Sequence, residues 1–291
     1  MSDGFSDQWL ELRSSADRTA RSVRLERQVR RWALRLHRHH SARPLRIIDF
    51  GCGNGVNLRH LAGLLGPRQQ WRLLDHDPAL LSAAATRIRQ WAAERGLDAI
   101  DDSMDRLMLS DGYRHLNICL EQCDLRTLPD LGVADLVTGS ALLDLTSAEW
   151  LRQLARYCDR RGAALLFTLS YDGKTDWQPP EPFDDEMIGY FNRHQQSDKS
   201  FGRALGPHAA DYLIGRLRRL GYRVAVDSSP WRLTPDDRAM QQALIDGFRH
   251  TGLALDPDRQ SLIDDWTERR RNAIDRTRLR IGHLDLFAWR E

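Results

Sequence analysis

Short apolar runs alternate with helical patterns between Leu45 and Leu169. In the segments between the runs, apolar residues recur at helical spacing. This alternation is typical of repeated β-α units that build a parallel sheet. The five predicted strands are Leu45 to Phe50, Trp71 to Leu74, Leu116 to Leu120, Ala134 to Thr138 and Ala163 to Leu169.

The later chain predicts two more strands with helices between them. Pro207 and Gly221 mark the start and the end of a helix, and a sixth strand follows at Tyr222 to Val226. The last apolar run, His283 to Trp289, predicts a seventh strand that pairs antiparallel with the sixth. Their connection, Thr234 to Gly282, contains two helical patterns and is long enough to form a cap over the sheet.

The composition is that of a folded globular protein. The chain has 291 residues, of which 41% are hydrophobic and 29% are charged, and these values exclude disordered, collagenous and membrane-spanning classes. The net charge of +2 does not favour a nucleic-acid partner. The first twenty residues lack the apolar core of a signal peptide, which predicts a cytoplasmic location. Cysteine and histidine spacing predicts neither a disulfide framework nor a metal site.

The segment with the clearest chemistry is the first strand, which runs into three alternate glycines, Gly51, Gly53 and Gly55. Glycines let the backbone approach a ligand where a side chain would clash. Because position 56 is Val, the loop lacks the third glycine of the dinucleotide fingerprint. Asp49, at the end of the strand, would repel a phosphate. The loop therefore predicts a positively charged cofactor.

Acidic residues also follow the second and third strands. Asp75 lies about 20 residues beyond the glycines, where a carboxylate can accept both hydroxyls of a ribose. Asp124, which precedes Leu125, can reach the exocyclic amine of an adenine. The two acids predict an adenosine whose ribose hydroxyls are intact.

In these residues the sequence resembles the class I S-adenosylmethionine-dependent methyltransferases, whose first motif typically reads as an acid, a variable residue and then G-x-G-x-G. The resemblance covers roughly residues 43–169 and, more weakly, the terminal strands. It implies an α/β, Rossmann-like, seven-stranded sheet with the last strand antiparallel, and S-adenosylmethionine as cofactor, with S-adenosylhomocysteine as product. We expect a helical N-terminal extension or lid at 1–43 and a methyltransferase domain at 44–291, with helical acceptor-site insertions at 172–206 and 234–282.

The resemblance implies cofactor contacts at the ends of the first four strands. The glycines pass beneath the cofactor, Asp49 lies near its aminoacyl end and Asp75 holds its ribose. The residues after the third strand flank the adenine, and those after the fourth lie under the methionine moiety. The implied cofactor-binding residues are Asp49, Gly51, Gly53, Asp75, His76, Asp124, Leu125, Ser140 and Leu142.

The acceptor site is expected beyond the ends of the fourth and fifth strands. A hydroxyl or ammonium acceptor needs a group that removes its proton, and the candidates are Asp144, Tyr171 and His194. Asp144 has the alternative role of capping the helix that follows, and His194 that of a structural or surface residue.

A loop and a helix supply the predicted substrate contacts. The segment from Gly173 to Glu186 is predicted to be a loop that covers the acceptor, with Asp172 and Trp177 facing it. On the N-terminal helix, Arg13 is a candidate for binding the cofactor carboxylate or an anionic substrate. The alternative is a solvated ladder of ion pairs formed by Arg13, Asp17, Arg21 and Arg24.

The predicted function is methyl transfer from S-adenosylmethionine to an oxygen or nitrogen of a small-molecule acceptor. The fourth strand is not followed by the [DN]-P-P-[FY] tetrapeptide of many enzymes that methylate planar amines, which disfavours a nucleic-acid base. An RNA or protein acceptor, bound by the Arg-rich stretches 13–46 and 269–280, is an alternative. Other classes that remain open are an NAD-dependent oxidoreductase and a non-catalytic, cofactor-binding partner protein.

Overall fold

One mixed sheet runs through the computed structural model, which describes residues 6–39, 43–103, 105–128, 131–199 and 201–290. The strands are β1 (Leu45–Phe50), β2 (Arg68–Asp75), β3 (Asp98–Asp102), β4 (Arg106–Ser110), β5 (His115–Gln122), β6 (Leu136–Ser140), β7 (Ala164–Gln178), β8 (Arg223–Ser228), β9 (Trp231–Leu233) and β10 (Arg278–Trp289). The α-helices are α1 (Asp7–Ala20), α2 (Val23–His39), α3 (Val56–Leu61), α4 (Pro78–Glu94), α5 (Ala148–Arg161), α6 (Asp184–Gln195), α7 (Ala209–Arg219), α8 (Arg238–Leu255) and α9 (Gln260–Asn272).

The strand order confirms the predicted α/β fold. Seven strands lie in the order β5-β2-β1-β6-β7-β10-β8, with parallel pairing from β5 to β7 and antiparallel pairing of β10 to both of its neighbours. Ile47 and Ile48 of β1 enter two different apolar clusters because successive strand residues point to opposite faces. The cluster around Ile47 includes residues of α2, α3 and α4, and the cluster around Ile48 includes residues of α5 and α7. The helices that follow β1 and β6 thus cover opposite faces, which opens a crevice at the carboxyl ends of these two strands.

The structure departs from the predicted elements in three places. The hairpin of β3 and β4 extends the sheet beyond β5, and β9 pairs with β10. In addition, the residues from Gly173 to Trp177 are not a loop, because β7 continues to Gln178 and pairs with Arg278–Ile281 of β10. The polar and glycine residues of this stretch suggested a turn, but long-range pairing with β10 keeps the chain extended.

A third apolar cluster forms the cap at the carboxyl end of β7. It contains Met187 of α6, Phe248 of α8 and Trp266 of α9, and α1 packs against its edge. Inside the cap, the buried guanidinium of Arg270 is paired with the carboxylate of Asp184, which also accepts a hydrogen bond from Trp266 Nε1 (2.9 Å). None of the helices in the described part of the chain combines the length and the apolar character that a membrane span needs.

Breaking the buried ion pair of the cap tests its structural role. Asp184→Ala leaves the Arg270 charge buried without its partner, so we expect the free energy of unfolding to fall by about 3–5 kcal/mol in urea titrations. Asp246→Ala is the matched control, because it removes an exposed partner of Arg271 and should cost at most about 1 kcal/mol. Equal losses in the two variants would contradict this description of the cap.

Candidate functional site

The glycine loop lies where β1 ends. Gly51, Gly53 and Gly55 have φ angles of 59°, 53° and 77°, the left-handed region that glycine adopts most readily. A Cβ atom on Gly53 would lie 2.8 Å from Leu10 Cδ1 of α1, so this helix approaches the loop closely. A Cβ atom on Gly51 would lie 3.4 Å from Leu142 Cδ1. The loop is therefore enclosed between α1 and the segment after β6.

Asp75 ties the glycine loop to the end of β2. Its buried carboxylate accepts the backbone N–H of Gly53 at Oδ2 (2.8 Å) and that of Asp77 at Oδ1 (3.1 Å). His76 Nδ1 lies 3.3 Å from Asp75 Oδ1, and the His76 ring is exposed. Asp75, which is predicted to bind the ribose, thus lies directly beside the glycine loop that is predicted to bind the cofactor.

The two candidate adenine contacts after β5, Asp124 and Leu125, differ in burial. Leu125 is buried, and its backbone oxygen accepts a hydrogen bond from Trp150 Nε1 (2.7 Å). Asp124 is exposed, and the Arg126 guanidinium that binds it lowers the pKa of this carboxyl to about 2. A contact of Asp124 with an adenine amine would compete with this local ion pair.

A buried cluster of charged and polar side chains lies at the ends of β1 and β6. Asn57 Nδ2 donates to Asp49 Oδ1 (2.8 Å) and to Thr138 Oγ1 (3.2 Å). Arg21 donates to Asn57 Oδ1 (3.0 Å) through Nη1 and to Ser140 Oγ (3.2 Å) through Nη2. Asp49 Oδ2 has no hydrogen-bond partner among the described residues, and burial raises the pKa of this carboxyl to about 7. The cluster thus contains a buried carboxylate and a buried guanidinium that are bridged by one amide.

Arg21 was not among the residues predicted to bind the cofactor. The predicted alternative of a solvated ladder on one helix is wrong. Arg13 and Asp17 on α1 and Arg21, the residue after it, are buried, and Arg24 is exposed on α2, where it pairs with Asp227. Their helical spacing was visible in the sequence, but charges at that spacing are ordinarily solvated, and only the packed sheet shows that this face turns inward.

Helix α1 is held at both ends across the glycine loop. At its start, Asp7 accepts hydrogen bonds from Asn54 Nδ2 (2.9 Å) and from Arg87 Nη2 of α4 (2.9 Å). Just beyond its end, the backbone N–H of Ser22 donates to the buried carboxylate of Asp285 on β10 (2.9 Å). The helix that carries Arg13 therefore spans the crevice.

The predicted proton acceptors lie on three different elements: Asp144 follows β6, Tyr171 lies on β7 and His194 lies on α6. Asp144 is buried, its Oδ1 has no hydrogen-bond partner among the described residues, and burial raises the pKa of its carboxyl to about 6. Asp144 does not cap α5. The N-cap of this helix is Ser147, whose Oγ accepts the backbone N–H of Trp150 (3.3 Å). The hydroxyl of Tyr171 donates to Asn192 Oδ1 (2.8 Å). Lys199 Nζ lies 3.2 Å from His194 Nδ1. The positive charge of Lys199 opposes the rise that burial causes in the pKa of Asp144.

The two residues predicted on the acceptor loop lie on the extended part of β7. Trp177 is buried in the cap, with ring centroids 5.9 Å from those of both Phe248 and Trp266. Asp172 Oδ1 accepts the backbone N–H of Lys174 (3.0 Å), and the carboxylate lies over Gly282 of β10. The surroundings of Trp177 are those of a core residue.

No protein-family model matches the sequence, and no curated protein matches it. Two solved structures with a similar chain trace are S-adenosylmethionine-dependent methyltransferases in complex with S-adenosyl-L-homocysteine. The one from Geobacter sulfurreducens is 15% identical, covers 98% of this chain and 99% of its own, and has a TM-score of 0.44. The one from Thiobacillus denitrificans is 13% identical, with the same coverage and TM-score. The likeness is one of fold, so function has to be inferred from the residues of the chain itself.

The buried carboxyl of Asp49 makes the stability of the ligand-free protein depend on pH. Its pKa is about 7 in the folded protein, whereas the ordinary value is 3.8. Between pH 3.8 and about pH 7, Asp49 is therefore protonated in the folded state and ionised in the unfolded state. Stability is therefore lost as the pH rises through this window. Relative to wild type, the free energy of unfolding of Asp49→Asn should increase from pH 5 to pH 8 in urea titrations.

The control for this titration is Asp246→Asn, which changes an exposed carboxyl. It should follow the wild-type pH dependence. A constant difference between Asp49→Asn and wild type at both pH values would show that the Asp49 carboxyl keeps an ordinary pKa in the folded protein.

Proposed function

We propose that this chain binds S-adenosylmethionine and transfers its methyl group to an oxygen or nitrogen of a small-molecule acceptor. The observation that carries the proposal is the pair of opposite charges above the glycine loop. Asp49 offers an unpartnered carboxylate oxygen, and Arg21 offers a guanidinium held by Asn57 and Ser140. This pair complements the ammonium and the carboxylate of an amino-acid group, which S-adenosylmethionine carries and NAD lacks.

The remaining residues at the strand ends fit the rest of the same molecule. Gly51 and Gly53 have no side chains that would keep a ligand away from the loop backbone, and Asp75 lies beside the loop with a carboxylate suited to ribose hydroxyls. Leu142, which lies against Gly51, gives an apolar contact next to the charged cluster. When bound, the cofactor supplies a methyl group on a positively charged sulfur.

Asp144 is suited to the acceptor's proton. A buried carboxylate with an unpartnered oxygen is stabilised by a hydrogen-bond donor, and an acceptor hydroxyl or amine is such a donor. Because burial raises its pKa to about 6, Asp144 is ionised at neutral pH and still basic enough to take a proton. Tyr171 and Asn192 would position the acceptor beside it.

The first experiment is thermal unfolding and titration calorimetry with S-adenosylmethionine, S-adenosylhomocysteine, adenosine and NAD. S-Adenosylhomocysteine at 100 times its Kd should stabilise the protein by about 2.7 kcal/mol, whereas NAD should not stabilise it. Arg21→Gln should weaken binding of S-adenosylhomocysteine by about 1.5–3 kcal/mol, because a charged hydrogen bond is lost. It should leave the affinity for adenosine unchanged, since adenosine has no amino-acid end.

Two further variants test whether the effect of Arg21→Gln is specific to the amino-acid end of the cofactor. Arg24→Gln, which changes an exposed arginine beyond the same turn, should bind all ligands as wild type does. Asp75→Ala should weaken both S-adenosylhomocysteine and adenosine. Stabilisation by NAD alone, or an equal loss of adenosine and S-adenosylhomocysteine in Arg21→Gln, would count against the proposed cofactor or its orientation.

Asp144 can be tested once a methyl-labelled cofactor has identified an acceptor. In wild type, kcat should rise as the pH passes about 6, because Asp144 loses its proton there. Asp144→Asn should reduce kcat by about 100-fold and abolish this pH dependence, while the Kd of S-adenosylhomocysteine stays the same. An unchanged pH profile in the variant would assign the proton transfer to another group.

A further inference from the structure

The first two turns of α1 lie directly on the glycine loop. A Cβ atom added to Gly53 would lie 2.8 Å from Leu10 Cδ1, so the Leu10 side chain already fills the space above this glycine. In the same turn, Asp7 Oδ1 accepts a hydrogen bond from Nδ2 of Asn54, the residue after Gly53 (2.9 Å). A cofactor that lies over Gly53 therefore cannot reach its place while Leu10 stays in this position.

The start of α1 is tied to α4 by charges near the surface. Arg87 of α4 donates to Asp7 Oδ2 through Nη2 (2.9 Å), and its Nη1 lies 2.9 Å from Glu11 Oε2. The side chains of Arg87, Asp7 and Glu11 are 26%, 41% and 50% exposed. We call these three residues the ionic latch. Because water and salt reach it, the latch stabilises the closed position of the helix only modestly.

The rest of α1 is held by buried contacts. The buried residues of this helix are Arg13 and Asp17, and none of residues 7–12 is buried. Asp17 accepts the Nε–H of Arg13 (2.9 Å) and the Nε1–H of Trp231 on β9 (2.9 Å). Segments with few buried contacts open at the lowest cost in free energy. The first two turns can therefore leave the glycine loop while the remainder of α1 stays in place.

We propose that residues 7–12 form a gate over the cofactor site, closed in this structure and held by the ionic latch. The cofactor enters when the latch breaks and Leu10 leaves Gly53, and the latch forms again over the bound ligand. If these turns were only a fixed support, they would block the place over Gly53 permanently. The gate rests on the proposed function, which puts the cofactor over the glycine loop.

The gate affects rates more than affinity. Because the latch stabilises the closed position both with and without ligand, it does not favour one of these states over the other. It therefore determines how often the site opens for entry and release, whereas the contacts of Arg21 and Asp49 determine how tightly the ligand binds.

Hydrogen exchange in the absence of ligand tests the opening itself. Arg87→Gln removes both ion pairs of the latch, so amide exchange in residues 7–12 should become about 5-fold faster, the size expected for two partly exposed ion pairs. Exchange in residues 13–20 should stay as in wild type. Arg114→Gln is the matched control, since Arg114 is 29% exposed and pairs with Asp111 in the turn between β4 and β5. It should leave exchange in α1 unchanged.

Stopped-flow measurements with S-adenosylhomocysteine test whether the gate controls ligand exchange. In Arg87→Gln, the association and dissociation rate constants should both rise about 5-fold, while Kd should change by less than about 2-fold. Salt should speed association to wild type but not to Arg87→Gln, because this ligand has no net charge and salt acts on the latch. Glu11→Gln should have a smaller effect in the same direction, and none when it is added to Arg87→Gln.

The outcomes separate the gate from the cofactor. Unchanged exchange of residues 7–12 in Arg87→Gln, or an equal increase in Arg114→Gln, would overturn the gate whether or not S-adenosylhomocysteine binds. A weaker Kd with an unchanged association rate would show that Arg87 holds the ligand itself, which would also overturn the gate. Failure of S-adenosylhomocysteine to bind to wild type would instead contradict the proposed cofactor.

Discussion

The buried carboxylate of Asp285 is the anchor on which the arrangement of the site depends. One of its oxygens accepts the backbone N–H of Ser22, and the other accepts the N–H of Leu169 (2.8 Å) and the hydroxyl of Ser229 (2.6 Å). These bonds join the α1–α2 junction, Leu169 of β7 and the connection between β8 and β9. Burial raises the pKa of Asp285, and the hydrogen bonds oppose this rise. The junction follows directly after α1. Because Asp285 fixes the junction against β10, it also fixes the end of α1 and so determines where Arg21 and Arg13 lie.

Around that anchor, the crevice holds buried charges of alternating sign. Among the described residues, Asp49 and Asp144 are carboxylates that each have an oxygen without a hydrogen-bond partner, while Arg13 on α1 and Arg21, the residue after α1, are buried guanidiniums. Burying such groups costs free energy unless ligands or neighbours compensate, so the arrangement favours occupied over empty states. Arg13 lies on α1 and Arg21 directly follows it, so the position of this helix determines where both cations lie.

The central sheet and the positions of the candidate cofactor acids could be predicted from sequence because they depend on local signals. Strand periodicity, the glycine loop and the acid at the end of β2 are all contiguous patterns. In the structure, Asp75 is bonded to the glycine loop, and Asp49 and Ser140 are linked through Asn57 and Arg21. Arg21 and Asp285 could not be predicted, since their roles depend on contacts between residues far apart in the chain. The extension of β7 was missed for the same reason: its partner on β10 is about a hundred residues away.

Hydrogen exchange of the full chain with and without S-adenosylhomocysteine tests most directly whether α1 closes over an adenosylmethionine site. Bound ligand should slow amide exchange in α1 and in the glycine loop, because both would lie against it, while the β3–β4 hairpin at the sheet edge should exchange as before. Protection of the glycine loop without protection of α1 would contradict the role given to this helix. Binding with no protection at either segment would place the ligand elsewhere.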